Sequence, residues 1–436
     1  SRFYDQALYK HGWSQFKQSR YEEGLDSFIK LIDSKAAGGR AAVENFSIID
    51  RQRFDDTLRV VSFSFSYLGG SDAIDRYFQK NGRRAYEDML FADLGTHYLA
   101  KRRYTDAATT LSAFVARNPL HEQAPVFQVR VIDVYKKGGF PKLVINAKRE
   151  YARIYALDKN YWKNHDINRS PKVLAFIKQN LVDLASHYHA LSQKRRHQNH
   201  HKEAVVWYRK YLQSFPSDSQ AHKMNFLLAE LLFDNRVYAA AAVEYEKTSY
   251  QYAPHEKSGE AGYAAVLAHR ALARQSKKSE KAAIHSRAII SSIRFVDTYP
   301  GNKQAAGVLN QAAVDTFQRN KFEASRKLAQ RVIDQYPQTD RQVLRSAWTV
   351  VAHSSFDLAD YIQSEKAYQE VLSRLSKQSG DRNVLTERLA ATIYKQGEAR
   401  FKSGQLSAAV ENYLRVGQLA PRSKIRMAAD YDAGAV

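Results

Sequence analysis

Five of the chain's 14 histidines fall between positions 187 and 201. They are His187 and His189, then His197, His200 and His201. On a helix, His197 and His201 stand four residues apart and share a face, the spacing of a two-histidine metal site. The stretch Gln193–Lys202 also carries Lys194, Arg195, Arg196 and Lys202, and no carboxylate. A cation there would be repelled rather than neutralised, so the segment reads as a basic surface with no metal and no other cofactor. Other catalytic patterns are missing from the sequence: there is no GxSxG, no HExxH and no P-loop. Gly69-Gly70 and Gly138-Gly139 follow helical stretches with no preceding strand, which makes them turns and not phosphate cradles. The chain has no cysteine, which excludes a disulfide framework, a thiolate zinc site, an iron–sulfur cluster and a cysteine nucleophile. An enzyme is not expected.

Charge is the next resource for chemistry. Lys and Arg number 67 against 45 Asp and Glu, for a net +22. The excess is local: residues 1–100 carry 14 of each sign, whereas residues 101–200 carry 19 basic against 7 acidic. Lys101, Arg102 and Arg103, then Lys136 and Lys137, then Lys194, Arg195, Arg196 and Lys202 are the main clusters. A basic strip of this kind suits an acidic protein, an anionic polysaccharide, a phospholipid surface or nucleic acid, or is simply a solvated edge. Nucleic acid is not expected, because no nucleic-acid-binding module accompanies the basic residues.

These groups must be positioned by helices, and the helices repeat. Prolines at 119, 216, 300, 337 and 421 each end a helical pattern. Upstream of them, small residues recur about twelve apart with an aromatic or leucine four further on. Gly95, Ala107 and Leu111 show it, as do Ala229, Ala241 and Tyr245, or Gly397, Ala409 and Tyr413. Small residues let two helices of a hairpin approach closely, and large residues on the same faces fill the space between neighbouring hairpins. The pattern predicts about ten helical hairpins, beginning near residues 4, 53, 88, 124, 174, 222, 258, 305, 341 and 386. Segments 193–202 and 275–281 read as polar insertions in the fifth and seventh, mapping to loops. Tyr161 and Trp162, in the connector that follows the fourth, are expected to tuck against the adjoining helix.

This spacing resembles the tetratricopeptide repeat, over nearly the whole chain. The resemblance implies an all-α, right-handed superhelical solenoid with a concave groove, in which each unit contacts mainly its neighbours. The expected organisation is four hairpins over 1–157, two of them degenerate, a polar connector over 158–172, units five to seven over 173–300, units eight to ten over 301–421, and the start of a further helix over 422–436. Both ends read as cut from a longer array. Tyr299-Pro300 and Tyr336-Pro337 are similar in style to bacterial envelope members of the family, the outer-membrane assembly lipoprotein and TolA-binding periplasmic protein group. No run of about 18 apolar residues is present to span a membrane.

The expected function is therefore a non-enzymatic scaffold that binds a partner protein or peptide in its groove, in the bacterial periplasm or envelope, with the cytoplasm as the alternative. The resemblance places first helices on the groove, which offers Asn180, Asp183, His187, Asn225, Glu230, Asn310, Gln311 and Asp315 as lining residues. The alternative partner is an acidic polysaccharide or cell-wall glycan. It would dock on a basic edge formed where Lys101, Arg102, Arg103, Lys136, Lys137, Lys194, Arg195, Arg196 and Lys202 occupy equivalent hairpin turns of units three to five.

Overall fold

Small residues spaced twelve apart do bring helices together, and the contacts show why. In a computed structural model describing residues 2–194, 198–376 and 378–436, the Ser325 hydroxyl donates to the Ala313 carbonyl at 2.8 Å and Ser364 to that of Ala352 at 3.0 Å. Ala312, Ala329, Ala352 and Ala367 are fully buried. A side chain added at Gly12 would meet the Phe28 ring at 2.8 Å, and one at Gly397 the Tyr413 ring at 2.5 Å. The large residue four past the second small one thus lies against the first.

The hairpins follow in chain order. The first pairs α1 (Arg2–Lys17) with α2 (Tyr21–Ala36), and a short α3 (Arg40–Glu44) follows. The second pairs α4 (Ile48–Leu68) with α5 (Ser71–Asn81), the third α6 (Glu87–Ala100) with α7 (Tyr104–Arg117), and the fourth α8 (Ala124–Lys137) with α9 (Pro141–Tyr155). After α10 (Tyr161–Asn164) come α11 (Pro171–Lys194) and α12 (Gln198–Ser214). Next are α13 (Ala221–Asp234) with α14 (Tyr238–Tyr250) and α15 (Ser258–Gln275) with α16 (Lys278–Thr298). Then come α17 (Ala305–Phe317) with α18 (Phe322–Gln335), and α19 (Arg341–Asp357) with α20 (Tyr361–Ser373). Last are α21 (Asp381–Lys402) with α22 (Leu406–Leu419), and α23 (Arg426–Ala435). The fold is an all-α solenoid of hairpins. No helix among the described residues is long and apolar enough to cross a membrane.

Among the described residues, eight hairpins close with the same turn. Its left-handed residue is Ser19, Gly69, Arg102, Gly139, Arg236, Asn320, Ala359 or Gly404. The next amide donates five residues back, as Arg103 does to Tyr98 at 2.8 Å and Gln405 to Arg400 at 2.9 Å. This is the Schellman closure of a helix end. Hairpins end at proline because its ring forces the preceding residue out of helix: Tyr299, Tyr336 and Ala420 have φ near −130°.

The insertions are a correction. Among the described residues they lie mostly in helix: 193–194 end the 24-residue α11 and 198–202 open the 17-residue α12, while 278–281 open the 21-residue α16 after the 18-residue α15; residues 195–197 lie outside the described residues. Tyr161 is buried edge-on to Tyr155, and the Trp162 indole donates to the Tyr155 carbonyl at 2.9 Å. The chain divides into two compact units, one up to Ala221 and one from His222, with five hairpins in each.

Candidate functional site

A concavity of about 770 Å³ lies in the first unit, between α1 and α4. Its walls are Asp5, Gln6, Tyr9 and Lys10 of α1 and Ile49, Asp50, Arg53, Phe54 and Thr57 of α4; Leu31, Ile32 and Lys35 of α2 also line it. The connector makes room for it. Eleven residues separate α2 from α4, against six between α16 and α17. That connector is fastened by α3. Gly39 adopts φ 67° where a side chain would strike the Ala85 carbonyl, Arg40 ion-pairs with buried Asp88 of α6, and Val43 is buried. Phe46 packs edge-on to Phe54 at 5.6 Å. Ser47 caps α4, accepting from the Asp50 amide at 3.1 Å and donating to its carboxylate at 2.6 Å. The cleft is thus held open by the fold itself.

Its electrostatics are uneven. Lys35 pairs with Asp5 at 3.3 Å. Asp50 sits in the first turn of α4, where the helix dipole favours a negative charge. Lys10 and Arg53 are exposed and have no ion-pair partner among the described residues. Ile32, Phe54 and Thr57 are buried, while Ile49 is 61% exposed and neighbouring Ile48 79%. Ile48 and Ile49 thus leave a small aliphatic patch in water beside the hollow.

The eight groove residues read from the sequence are divided between the two units. Asn180, Asp183 and His187 lie on α11 in the first unit; the other five lie on α13 and α17 in the second. Asn180 and Asn225 are buried, which corrects their assignment as lining residues. Asn225 donates to the Glu244 carbonyl at 2.7 Å and to Thr248 Oγ1 at 2.9 Å, tying α13 to α14. Asp183 pairs with buried Lys148 of α9 and accepts from Gln179. Asn310 donates to Ser346 of α19 at 3.0 Å, and Gln311 to Asp315 at 2.9 Å. Glu230 is half-buried, and burial followed by the nearby charges of Asp234 and Glu260 raises its pKa. His187 is half-buried, and burial lowers its pKa. The α1–α4 cleft was missed. The signal for it was the long gap between the end of the first hairpin and the start of the second, with Gly38-Gly39 inside it.

Family models for the tetratricopeptide repeat match residues 6–34 and 92–125, which are the first and third hairpins. The chain belongs to the tetratricopeptide-repeat superfamily. Comparison with curated proteins gave no match. Solved structures with related architecture include the C-terminal part of a tetratricopeptide protein of Cytophaga hutchinsonii, at 12% identity and TM-score 0.31, covering 67% of this chain and 97% of that one. Pseudomonas aeruginosa pilF aligns at 15% identity and TM-score 0.28, covering 58% and 99%. A human IFIT1 dimer with PPP-AAAA aligns at 11% and 0.28, covering 94% and 89%. Tetratricopeptide arrays are protein-interaction scaffolds.

In the tetratricopeptide array, neighbouring turns do stack where the basic residues cluster. Tyr104, just after Lys101, Arg102 and Arg103, meets Phe140 edge-on at 6.4 Å and lies against Gly138, just after Lys136 and Lys137. Arg103 is engaged, with Asp106 at 2.7 Å and its guanidinium over the Tyr98 ring at 4.5 Å. Lys136 lies 3.8 Å from Asp133. Lys101, Arg102 and Lys137 are exposed. Lys194 ends α11 and Lys202 sits in the second turn of α12, while Arg195, Arg196 and His197 lie outside the described residues. A smaller hollow of about 420 Å³ lies nearby, lined by Arg149, Arg153, Lys159 and Lys210 with Glu150.

Among the described residues, no three His, Asp or Glu side chains gather as a metal site. His189 Nδ1 lies 2.9 Å from the Tyr208 hydroxyl. Elsewhere Ser291 and His269 both bond Glu246 Oε1, at 3.3 and 3.0 Å. Nucleophile activation needs the hydroxyl bonded to the imidazole; here a carboxylate stands between them.

Proposed function

We propose that this chain is a non-enzymatic scaffold of the bacterial cell envelope that binds a partner protein in the α1–α4 cleft. The observation that carries the reading is the cleft itself: a hollow of mixed polar and apolar lining, with Ile32 and Phe54 buried and Ile49 exposed at its wall, beside a connector fastened by α3. Its size suits the side chains of a docking segment. The envelope location is supported by the Tyr-Pro style of hairpins seven and eight. A photo-reactive residue at Gln6 or Ile49 should cross-link to an envelope protein, and one at exposed Val243 of α14 should not. Cross-links only at Val243, or only to cytoplasmic proteins, would sink the proposal.

A second reading has its own observation, the stacking of two basic turns through Tyr104 and Phe140. An anionic glycan lying along that edge would bind in a salt-sensitive way. Alanine at Lys101, Arg102 and Lys137, or at Lys194, Arg195 and Arg196, should weaken retention on polygalacturonate. Unchanged retention removes this reading.

A further inference from the structure

We infer that the anionic glycan of the second reading stacks one of its sugar rings on Tyr67, at the aromatic end of the edge whose other end is basic. The inference rests on that reading and adds a ring-binding subsite to it. The hairpin turns of the first unit meet in chain order. Tyr21, which opens α2, lies parallel to Tyr67 near the end of α4, with ring centroids 4.7 Å apart and planes at 11°. A side chain at Gly70, in the turn after Tyr67, would come within 3.0 Å of the Tyr98 hydroxyl, and the Tyr98 ring carries the Arg103 guanidinium of the next turn. Tyr104 and Phe140 join that turn to the fourth. The four turns therefore follow one another along one edge.

Tyr67 stands in line with lysines on this edge. It lies two residues before left-handed Gly69, the position that Lys17 holds before Ser19 and Lys137 before Gly139. Equivalent positions of stacked repeats fall on one face, so this turn presents an aromatic ring where its neighbours present an ammonium. Tyr67 is 65% exposed although Tyr21 covers one of its faces, which leaves the opposite face in water. Tyr21 is itself braced edge-on by Phe16 at 5.4 Å. A sugar ring offers a face of C–H bonds rimmed by hydroxyls, and tyrosine answers it with an apolar face and a polar tip.

Charge is divided along the edge. At the third and fourth turns Lys101, Arg102, Arg103, Lys136, Lys137 and Lys142 stand against Asp106 and Asp133. At the first and second turns Lys17, Arg20 and Arg76 are matched by Glu22, Glu23 and Asp72. The basic turns attract the glycan's carboxylates, whereas contact at Tyr67 gains nothing from net charge and comes from stacking. A single-stranded nucleic acid would stack successive bases on successive rings. On this edge Phe140 meets Tyr104 and Tyr135 edge-on and is 37% exposed, so the backed and open face is that of Tyr67. That arrangement favours the glycan.

The test uses the full chain, with binding read by interferometry on immobilised polygalacturonate and on polyglutamate, which has carboxylates but no sugar rings. Tyr67→Ala is expected to bind polygalacturonate about fivefold more weakly than the parent and polyglutamate equally well. Tyr67→Phe keeps the ring and should bind polygalacturonate within about twofold of the parent. Added salt should weaken the parent and Tyr67→Ala together and leave their ratio unchanged, because stacking is not screened. Thermal melts check that both variants fold. Parental binding of polygalacturonate by Tyr67→Ala, an equal loss on polyglutamate, or a ratio that vanishes in salt overturns the inference. So does tighter, Tyr67-dependent binding of an oligothymidylate, which would assign the ring to nucleic acid. Alanine at Lys101, Arg102 and Lys137 separates the two claims. If that variant loses polygalacturonate and Tyr67→Ala does not, the basic edge stands without the ring subsite; if the parent itself does not bind polygalacturonate, both fall.

Discussion

Residue 359 is an alanine held at φ 59°, in the position that Gly404 occupies at 77° in the following hairpin. The left-handed region costs an L-residue roughly 1–2 kcal/mol, because its Cβ crowds the following carbonyl. Ala359→Gly relieves that strain but loosens the unfolded chain, so a net gain of up to about 1 kcal/mol is expected. Gly404→Ala should lose about 1 kcal/mol in the same way. Urea unfolding of both variants checks the pair, and an Ala359→Gly variant no more stable than the parent would contradict the account. At this scale the sequence was partly legible. The twelve-residue interval of small residues followed from close helix approach, and Ser325, Ser364, Gly12 and Gly397 keep to it. Asn180 and Asn225 were misplaced because polarity alone does not say which face of a helix is covered by the next one. Asn225 is buried because Glu244 and Thr248 of α14 satisfy its amide.

At the scale of elements, the fifth hairpin shows what periodicity missed. An insertion was readable from the wider interval between Ala185 and Ala204, but both flanks continue in helix. Their histidines then become neighbours. His187 is kept below its ordinary pKa of 6.5 by burial, then by His200 and Lys148; His201 is kept below it by burial, then by His189 and Lys202. A histidine whose folded pKa lies below its unfolded value contributes stability above the unfolded value, and that stability is lost as pH falls through the folded one. The α11–α12 hairpin should therefore loosen as pH drops below 6.5. Hydrogen exchange between about pH 8 and about pH 5, corrected for the intrinsic rate, should show protection falling in these helices. H187Q/H201Q should flatten the trend. Equal pH dependence in the variant would show that other groups control it. The α1–α4 cleft was invisible for a related reason: it arises from the connector that interrupts the repeat, and the period describes only what recurs.

For the whole molecule, the number and order of hairpins were legible because every unit repeats one packing rule. The division at Ala221 was not, since the same hairpin pattern continues across it. An array of this kind is stabilised by each unit and by its contacts with the next, so damage should spread by neighbours and fade with distance. Gly397→Val provides the test. Its side chain would meet the Tyr413 ring, which lies 2.5 Å from a Cβ at that position and is itself buried. Overpacking of this sort costs about 1–3 kcal/mol. Hydrogen exchange should show the largest loss of protection in α21 and α22 and a smaller one in α19, α20 and α23. The first unit, with its cleft, should keep the protection of the parent. Uniform loss across all ten hairpins would mean that the chain unfolds as one cooperative body and that its units are not energetically separate.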